Sequence, residues 1–342
     1  LSKANPKFDV ATRQEIIRLA EMALIEDVGS RDLNRAQDCT TLAIVPDNVS
    51  AAAMFIARQA GVICGLELCQ FVIGEFAPKL TLQQDVSDGA RVARGQQIAV
   101  LSGDARMILM IERTCLNFLC RLSGISTLTA EYVRRVAGTR AGIFDTRKTT
   151  PGWRRIEKYA VTCGGGNNHR MGLYDAIMIK DNHLAMYGNY VRDHRCSPTK
   201  AVALARQWVH ENQFLLPNGL NTIVQIEVES LSQLRIVLEE SGINSCQMQH
   251  TIDTPSSSNQ RQKSRAAPDI VLLDNMDTEQ LRQAVEIRDE LNPAVQLEAS
   301  GGVTLETVES IAQTGVERIS VGAITHSARN LDIALDWRLE TT

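Results

Sequence analysis

Apolar residues follow two rhythms along the chain. Between residues 9 and 26, Val10, Ile16, Ile17, Leu19, Ala20, Ala23 and Leu24 recur at helical spacing and predict an amphipathic opening helix. From 51 to 102 the pattern shortens into β-rich runs at 52–57, 61–63, 80–82, 88–92 and 97–103, around an apolar helical stretch at 66–76. Glycines at the turn positions between these runs predict an antiparallel sheet. A helical pair, 107–122 and 127–136, is expected next.

The second half alternates strand and helix. Strand-like runs at 176–179, 222–226, 269–273, 295–299 and 318–321 are interleaved with helix-like runs at 199–210, 230–240, 278–291 and 304–313. Such spacing predicts parallel β/α units in a barrel-like or doubly wound sheet. Polar residues cluster just after the strands: Lys180-Asp181-Asn182-His183, Glu227 and Glu229, Asp274-Asn275, Ser300-Gly301-Gly302 and Gly322-Ala323. In a β/α barrel the carboxyl ends of the strands share one face, and that face carries the chemistry. Turn and capping needs account for Ser and Gly. They do not account for Lys180, for Glu227 between apolar neighbours, or for Asp274 after four apolar residues, because charges at buried strand ends need partners or a ligand. Residues 241–268, rich in Ser, Gln, Asn and Pro, are expected to form a mobile surface insertion without catalytic residues.

Composition narrows the class. The 342 residues carry 36 Lys plus Arg against 40 Asp plus Glu, a net charge of −4, which argues against a globally basic nucleic-acid binder. With 44% hydrophobic and 22% charged residues the chain is expected to be globular. Its apolar runs, such as 107–111, fall far short of the roughly 20 residues a membrane span needs, and residues 1–30 lack the apolar core of a secretory signal. The eight cysteines include no C-x-x-C pair, so neither a zinc nor a redox centre is expected. The spacings Cys64/Cys69 and Cys115/Cys120 suit buried, reduced thiols in a cytoplasmic setting.

Residues 145–183 hold seven basic side chains, Arg147, Lys148, Arg154, Arg155, Lys158, Arg170 and Lys180, against Asp145, Glu157, Asp175 and Asp181. Inside an acidic protein, such a patch attracts a small anion, and guanidinium forks suit carboxylate or phosphate. Arg154, Arg155 and Lys158, in a helix after Pro151, serve a solvated face equally well. Arg147-Lys148, His169-Arg170 and Lys180 fit that alternative poorly, each standing beside a Gly, a Thr or a strand end. Gly164-Gly165-Gly166 is a weak signal, and neither the dinucleotide-binding nor the P-loop glycine pattern occurs.

This segment resembles the signature of the quinolinate phosphoribosyltransferases, the decarboxylating nicotinate-nucleotide pyrophosphorylases. The resemblance extends in collinear order through residues 21–29, 112–119 and 121–125, then Ile226-Glu227-Val228-Glu229, Leu273-Asp274-Asn275, Ser300-Gly301-Gly302 and 320–327. It implies an α/β chain with an N-terminal α/β sandwich (1–125, with 327–342 packing back on it) and an open, TIM-like α/β barrel (126–326, with the insertion at 241–268). It further implies a homodimer sharing its active sites, and a reaction joining quinolinate to phosphoribosyl pyrophosphate (PRPP) with Mg²⁺. Nicotinate mononucleotide, pyrophosphate and CO₂ would be the products, in NAD biosynthesis.

By the same resemblance Thr146, Arg147, Lys148, His169, Arg170 and Lys180 surround quinolinate, with Arg113 reaching in from the partner subunit. Lys148 stands between the two substrates. Glu227 and Asp274 face the ribose and its metal, directly or through water, and Ser300, Gly301, Gly302, Val321, Gly322 and Ala323 cradle the 5′-phosphate. These roles are physically coherent: paired carboxylates suit Mg²⁺ and positive charge growing on the ribose, and backbone amides before helices suit phosphate. Trp153, residues 32–38 and the 241–268 insertion depart from the family pattern. Three alternatives remain: a barrel aldolase forming a Schiff base on Lys180, against which its Arg-rich surroundings speak; a pyrophosphorylase acting on another heterocyclic acid; and a non-catalytic phosphate or nucleotide sensor, which would have lost some of these side chains.

Overall fold

A computed structural model describes residues 8–190, 197–247 and 267–337. In chain order its elements begin with α1 (Val10–Val28), α2 (Cys39–Ile44), β1 (Ser50–Ala57), β2 (Gly61–Val62), α3 (Leu66–Phe76), β3 (Thr81–Gln84), β4 (Arg91–Val92), β5 (Gln97–Asp104) and α4 (Ala105–Arg135). They continue with β6 (Gly142–Phe144), α5 (Arg154–Cys163), β7 (Ile177–Ile179), α6 (Asp181–Tyr190), α7 (Pro198–Glu211), β8 (Val224–Val228) and α8 (Leu231–Gln247). Last come β9 (Ile270–Asp274), α9 (Thr278–Leu291), β10 (Gln296–Ser300), α10 (Val308–Ala312), β11 (Arg318–Ser320), α11 (Ala323–His326) and β12 (Ile333–Trp337). They fall into two compact units: residues up to 134 with 148–168 and from 322 onward, and residues 135–147 with 169–321.

The first unit is built on a four-stranded sheet in the order β12-β1-β5-β3, with β2 and β4 paired separately. All pairings in the four-stranded sheet are antiparallel, and Phe55 of β1 lies opposite Leu335 of β12. The opening helix forms as its spacing predicts: Asp9 caps it by accepting from the Thr12 amide at 2.7 Å, Gly29 ends it in the left-handed region, and Ile16, Ala20, Leu24 and Val28 line its buried face.

The expected helical pair is instead one helix, α4, unbroken from Ala105 to Arg135. Ser123-Gly124-Ile125-Ser126, the suspected break, is a contact face. A Cβ on Gly124 would lie 2.0 Å from the Arg329 carbonyl oxygen. The Ser123 hydroxyl exchanges hydrogen bonds with the backbone of Cys64, accepting from its N–H at 2.9 Å and donating to its carbonyl at 3.1 Å. The Ser126 hydroxyl donates to the Ala160 carbonyl at 2.7 Å. These short side chains bond to neighbouring segments and leave the helix ladder intact.

Asp88 anchors the start of α3, accepting from the Gly65 and Leu66 amides at 3.0 and 2.9 Å and from the Tyr159 hydroxyl at 2.8 Å. Cys64 and Cys163 bring their sulfurs within 4.8 Å of each other and of this carboxylate. Burial pushes the Cys64 thiol well above its ordinary range, so it packs in its protonated form. The six cysteines with described side chains carry no disulfide; Cys64, Cys69 and Cys115 are buried and Cys39 is exposed.

The second unit is a six-stranded sheet, every pairing parallel, in the order β6-β11-β10-β9-β8-β7. Consecutive strands are neighbours and the first pairs with the last, which is barrel order, opened between β6 and β7. The five expected strands form within a residue or two of their predicted bounds. The sixth, β6, is too short to register as a periodic run. Leu297 and Ala299 on β10, like Ile270 to Leu273 throughout β9, are buried. A capping box between Asp277 and Gln280 starts α9. The helix expected at 304–313 is shorter, because the Thr307 hydroxyl accepts from the Thr304 amide at 3.0 Å and holds the first residues in a turn. Helix α8 continues to Gln247, into the stretch read as a surface insertion, while 248–266 lie outside the described residues. Among the described residues no helix is long and apolar enough to cross a membrane.

Candidate active site

The carboxyl ends of the second unit's parallel strands bring together most of the side chains singled out above. After β6 come Asp145, Thr146 and Arg147. Asp145 is fully buried and accepts from the His169 amide at 2.7 Å, tying residues 169–170 to this strand end. The Arg170 amide in turn donates to Nδ1 of His169 at 2.8 Å, and its guanidinium donates to the Ala176 carbonyl at 3.1 Å. Burial, and then the neighbouring Arg147 charge, draw the Arg170 guanidinium below its ordinary range, with Asp175 opposing. Two guanidiniums held close at a partly buried place favour an anion that neutralises both.

Lys180, just past β7, reaches Glu227 on the adjacent strand β8, Nζ to Oε2 at 2.5 Å. Asp274 ends β9 and lies opposite Ser300, which ends β10. Its Oδ2 accepts from the Asn275 side chain at 2.8 Å, and the Asn275 amide donates to the Ser300 carbonyl at 2.9 Å. Asn275, Gly301 and Gly302 all have positive φ, of 54°, 96° and 59°. A Cβ on Gly301 would lie 2.1 Å from Oδ1 of Asn275, so only glycine lets these two turns approach. Val321 follows β11, and its amide donates to the Phe144 carbonyl at 2.8 Å.

Two charged residues of this unit escaped the sequence reading. Glu298, fully buried on β10, accepts from Nε of Arg318 at 2.7 Å and faces Nε2 of His169 at 3.4 Å. The Arg318 guanidinium lies 3.5 Å from the centroid of the Phe144 ring. Burial pushes the Glu298 carboxyl up, but His169 and Arg318 outweigh it and hold the group below the ordinary carboxylate range. The available signal was a lone Glu in the apolar run Leu297-Glu298-Ala299, with Arg318 at the start of another strand.

Lys148, Gly322, Ala323 and Arg113 belong to the first unit. Lys148 is exposed, and its carbonyl accepts from the Thr325 hydroxyl of α11 at 2.8 Å. A Cβ on Gly322 would lie 3.2 Å from Cδ of Lys148. The loop after Lys148 is pinned by Glu157, fully buried on α5, which accepts from the Thr150 amide at 3.1 Å and the Thr150 hydroxyl at 2.8 Å. Arg121 of α4 donates to the same carboxylate at 2.8 Å and to the Ala328 carbonyl at 2.9 Å. Arg113 is exposed on α4.

Of the three helix cations assigned equally to a solvated face, Lys158 is fully buried and Arg155 pairs with Asp9 and Glu15 at 3.7 and 3.6 Å. The Nε of Arg154 donates to the Thr149 hydroxyl at 3.0 Å. The glycine triplet packs against α4: a Cβ on Gly164 would lie 2.5 Å from the Ser126 carbonyl oxygen, and one on Gly166 2.7 Å from Cγ2 of Thr129. Trp153, where the sequence departs from the family pattern, stacks on Phe118 with centroids 4.9 Å apart.

The quinolinate phosphoribosyl transferase N-terminal domain model matches residues 38–123, and the C-terminal domain model matches residues 125–336. The chain belongs to the quinolinate phosphoribosyltransferase family. Nicotinate-nucleotide pyrophosphorylase [carboxylating] of Mycobacterium leprae is 38% identical, over 89% of this chain and 93% of its own. A mitochondrial quinolinate phosphoribosyltransferase [decarboxylating] of Nicotiana tabacum, named 2a, is 36% identical over 97% of this chain and 83% of its own. The crystal structure of NadC from Streptococcus pyogenes superimposes with a TM-score of 0.77 at 34% identity, covering 97% of this chain and all of that one (100%). As a member of the quinolinate phosphoribosyltransferase family, the chain is a phosphoribosyl-transferring enzyme.

Proposed function

We propose that this enzyme joins the ring nitrogen of quinolinate to C1 of PRPP and releases pyrophosphate and CO₂, giving nicotinate mononucleotide. The observation that carries the reading is the carboxyl edge of the parallel sheet, where Arg147, His169, Arg170 and Lys180 stand with Glu227 and Asp274 in one compact unit. Arg147, Arg170 and Lys180 form a cationic set suited to a dicarboxylate, with Thr146 and His169 completing the pocket. The family resemblance assigns Lys148 to the space between the two substrates.

Glu227 and Asp274, on adjacent strands, stabilise positive charge on the ribose as pyrophosphate departs. Their oxygen donors fit Mg²⁺, an ion held by one or two carboxylates together with water and substrate phosphate. Bound there, Mg²⁺ would neutralise the departing pyrophosphate. The family resemblance assigns the 5′-phosphate to the backbone amides of Ser300, Gly301, Gly302, Val321, Gly322 and Ala323. After ribosylation the cationic ring nitrogen stabilises the electron pair that CO₂ leaves on the adjacent ring carbon, and that carbon takes up a proton from water, so catalysis needs position and electrostatics and no protein nucleophile. Arg113, exposed on α4, serves the site of a second copy in a homodimer.

The test is incubation with quinolinate, PRPP and Mg²⁺, following CO₂ and nicotinate mononucleotide together. Nicotinate, with one carboxylate, should be turned over poorly. Equal turnover of the two acids, or ribosylation without CO₂, would redirect the assignment to another heterocyclic acid.

A further inference from the structure

We infer that Thr325 is a positioning residue for Lys148: its buried hydroxyl ties the Lys148 main chain to the turn that begins α11, and so sets how the Lys148 ammonium stands toward the two substrates. This rests on the quinolinate and PRPP reading, which puts Lys148 between them and gives Gly322 and Ala323 to the 5′-phosphate.

The hydroxyl has one proton and two carbonyls in reach. Thr325 is fully buried, with its Oγ1 2.8 Å from the Lys148 carbonyl oxygen and 3.1 Å from that of Gly322. A helical threonine ordinarily turns its proton back to the carbonyl three or four residues before it, here that of Gly322. That carbonyl already accepts from the Thr325 and His326 amides, both at 3.1 Å, and the shorter contact is to Lys148. The proton therefore goes to Lys148. Gly322 meets the same residue further out: a Cβ there would lie 3.2 Å from Cδ of Lys148 and 3.1 Å from Nε2 of His326, so the lysine stem runs along the turn where glycine leaves room.

The tether closes on itself through buried groups. The Thr325 carbonyl accepts from Nη2 of Arg121 on α4, and the same nitrogen donates to Glu157 at 2.8 Å. Glu157, fully buried, accepts from the Thr150 amide and hydroxyl at 3.1 and 2.8 Å, just past Lys148 in the chain. A ring of hydrogen bonds thus runs from Lys148 through Thr325, Arg121, Glu157 and Thr150 back to the Lys148 segment, all within the first unit. The Thr325 link meets Lys148 itself. An ammonium on a flexible four-carbon stem is placed only as well as the backbone that carries it.

Thr325→Val removes the hydroxyl at nearly constant shape, and Thr325→Ser keeps it while removing the methyl. Hydrogen exchange of the ligand-free proteins, read on peptides covering residues 146–150, tests the tether directly. Exchange there is expected to be about tenfold faster in Thr325→Val and within about twofold of wild type in Thr325→Ser, with peptides from β8 unchanged in both. In steady-state CO₂ release Thr325→Val is expected to lower kcat about tenfold, since a small misplacement of a group beside the reacting atoms costs rate. The Kd for quinolinate alone, by calorimetry, is expected to stay within about threefold, because Arg147, Arg170 and Lys180 remain. Thr325→Ser is expected to keep kcat within about twofold of wild type even where its thermal midpoint is lower. Wild-type kcat in Thr325→Val, or wild-type exchange at 146–150, would overturn the proposal. So would a Thr325→Ser enzyme as impaired as Thr325→Val, which would assign the effect to packing of the methyl group. Should Thr325→Val not fold, Thr325→Ala, without the branched bulk, carries the same expectations. Should quinolinate be neither bound nor turned over by the wild type, the functional reading fails, while exchange of the ligand-free proteins still decides the tether.

Discussion

The Lys180 ammonium meets the Glu227 carboxylate at 2.5 Å across two adjacent strand ends, so the cation predicted to hold the substrate also pairs with the carboxylate predicted to face the ribose. Lys180→Ala removes a quinolinate contact and leaves a largely buried carboxylate without its cation. The quinolinate kcat/KM is expected to fall at least about 100-fold, measured as CO₂ release, because a contact to a substrate carboxylate and the partner of Glu227 are lost together. Borohydride should trap no adduct on Lys180; a trapped adduct would revive the aldolase reading.

Arg170→Met separates function from stability. The Arg170 guanidinium is partly buried and repelled by Arg147, so its removal relieves a cost in the ligand-free protein. The midpoint of thermal unfolding is expected to stay level or rise, while turnover is lost. A large drop in midpoint would show that this arginine is structural.

Arg113 and Lys180 make the shared site accessible to experiment. Arg113→Ala and Lys180→Ala enzymes, each inactive as pure protein, are expected to recover up to about a quarter of wild-type activity when subunits are exchanged in equal amounts, since a mixed dimer rebuilds one intact site. Native mass spectrometry verifies the exchange. Verified mixed dimers without activity would exclude a site that borrows Arg113.

Glu157 bears on stability first. It is fully buried and accepts from Arg121 and from both polar groups of Thr150, so Glu157→Ala is expected to cost about 3–5 kcal/mol in chemical unfolding. Arg121→Met with Glu157→Leu should cost less than Glu157→Ala alone, because no charge is left without its partner. In both proteins the Lys148–Thr150 loop loses its tether, and turnover falls with it.

Glu298 predicts a pH dependence of stability. Its native carboxyl titrates below the ordinary 4.5 because His169 and Arg318 outweigh the cost of burial. Its contribution is therefore fully present above pH 4.5 and is lost as pH falls through the native value. The advantage of wild type over Glu298→Gln, from urea midpoints, is expected to be constant from about pH 6 to 7 and to shrink near about pH 3.5. An advantage that persists unchanged in acid would mean that the carboxyl is not ionised in the native state.

The parts of the fold that were legible depend on local chemistry. Alternating strand and helix runs, with Lys180, Glu227, Asp274 and Ser300 each falling at or just after an apolar strand, marked the parallel sheet and its working edge. Strand β6 was missed because three residues show no period. Ser123-Gly124 was misread as a break because a small residue that admits a neighbouring backbone looks the same in sequence as one that ends a helix. The Gly164-Gly165-Gly166 run carries the same ambiguity, and here it serves close packing on α4.

By itself the sequence determined the element types, the face each apolar residue takes and the chemical class of the donors, since all three follow from spacing and side-chain identity. Only the tertiary structure decided which charges meet: Glu298 with Arg318 and His169, Glu157 with Arg121 and Thr150, Lys180 with Glu227. Periodicity assigns a residue to a face but not to a neighbour. The neighbour is set by sheet order, register and helix packing, which join segments far apart in the chain.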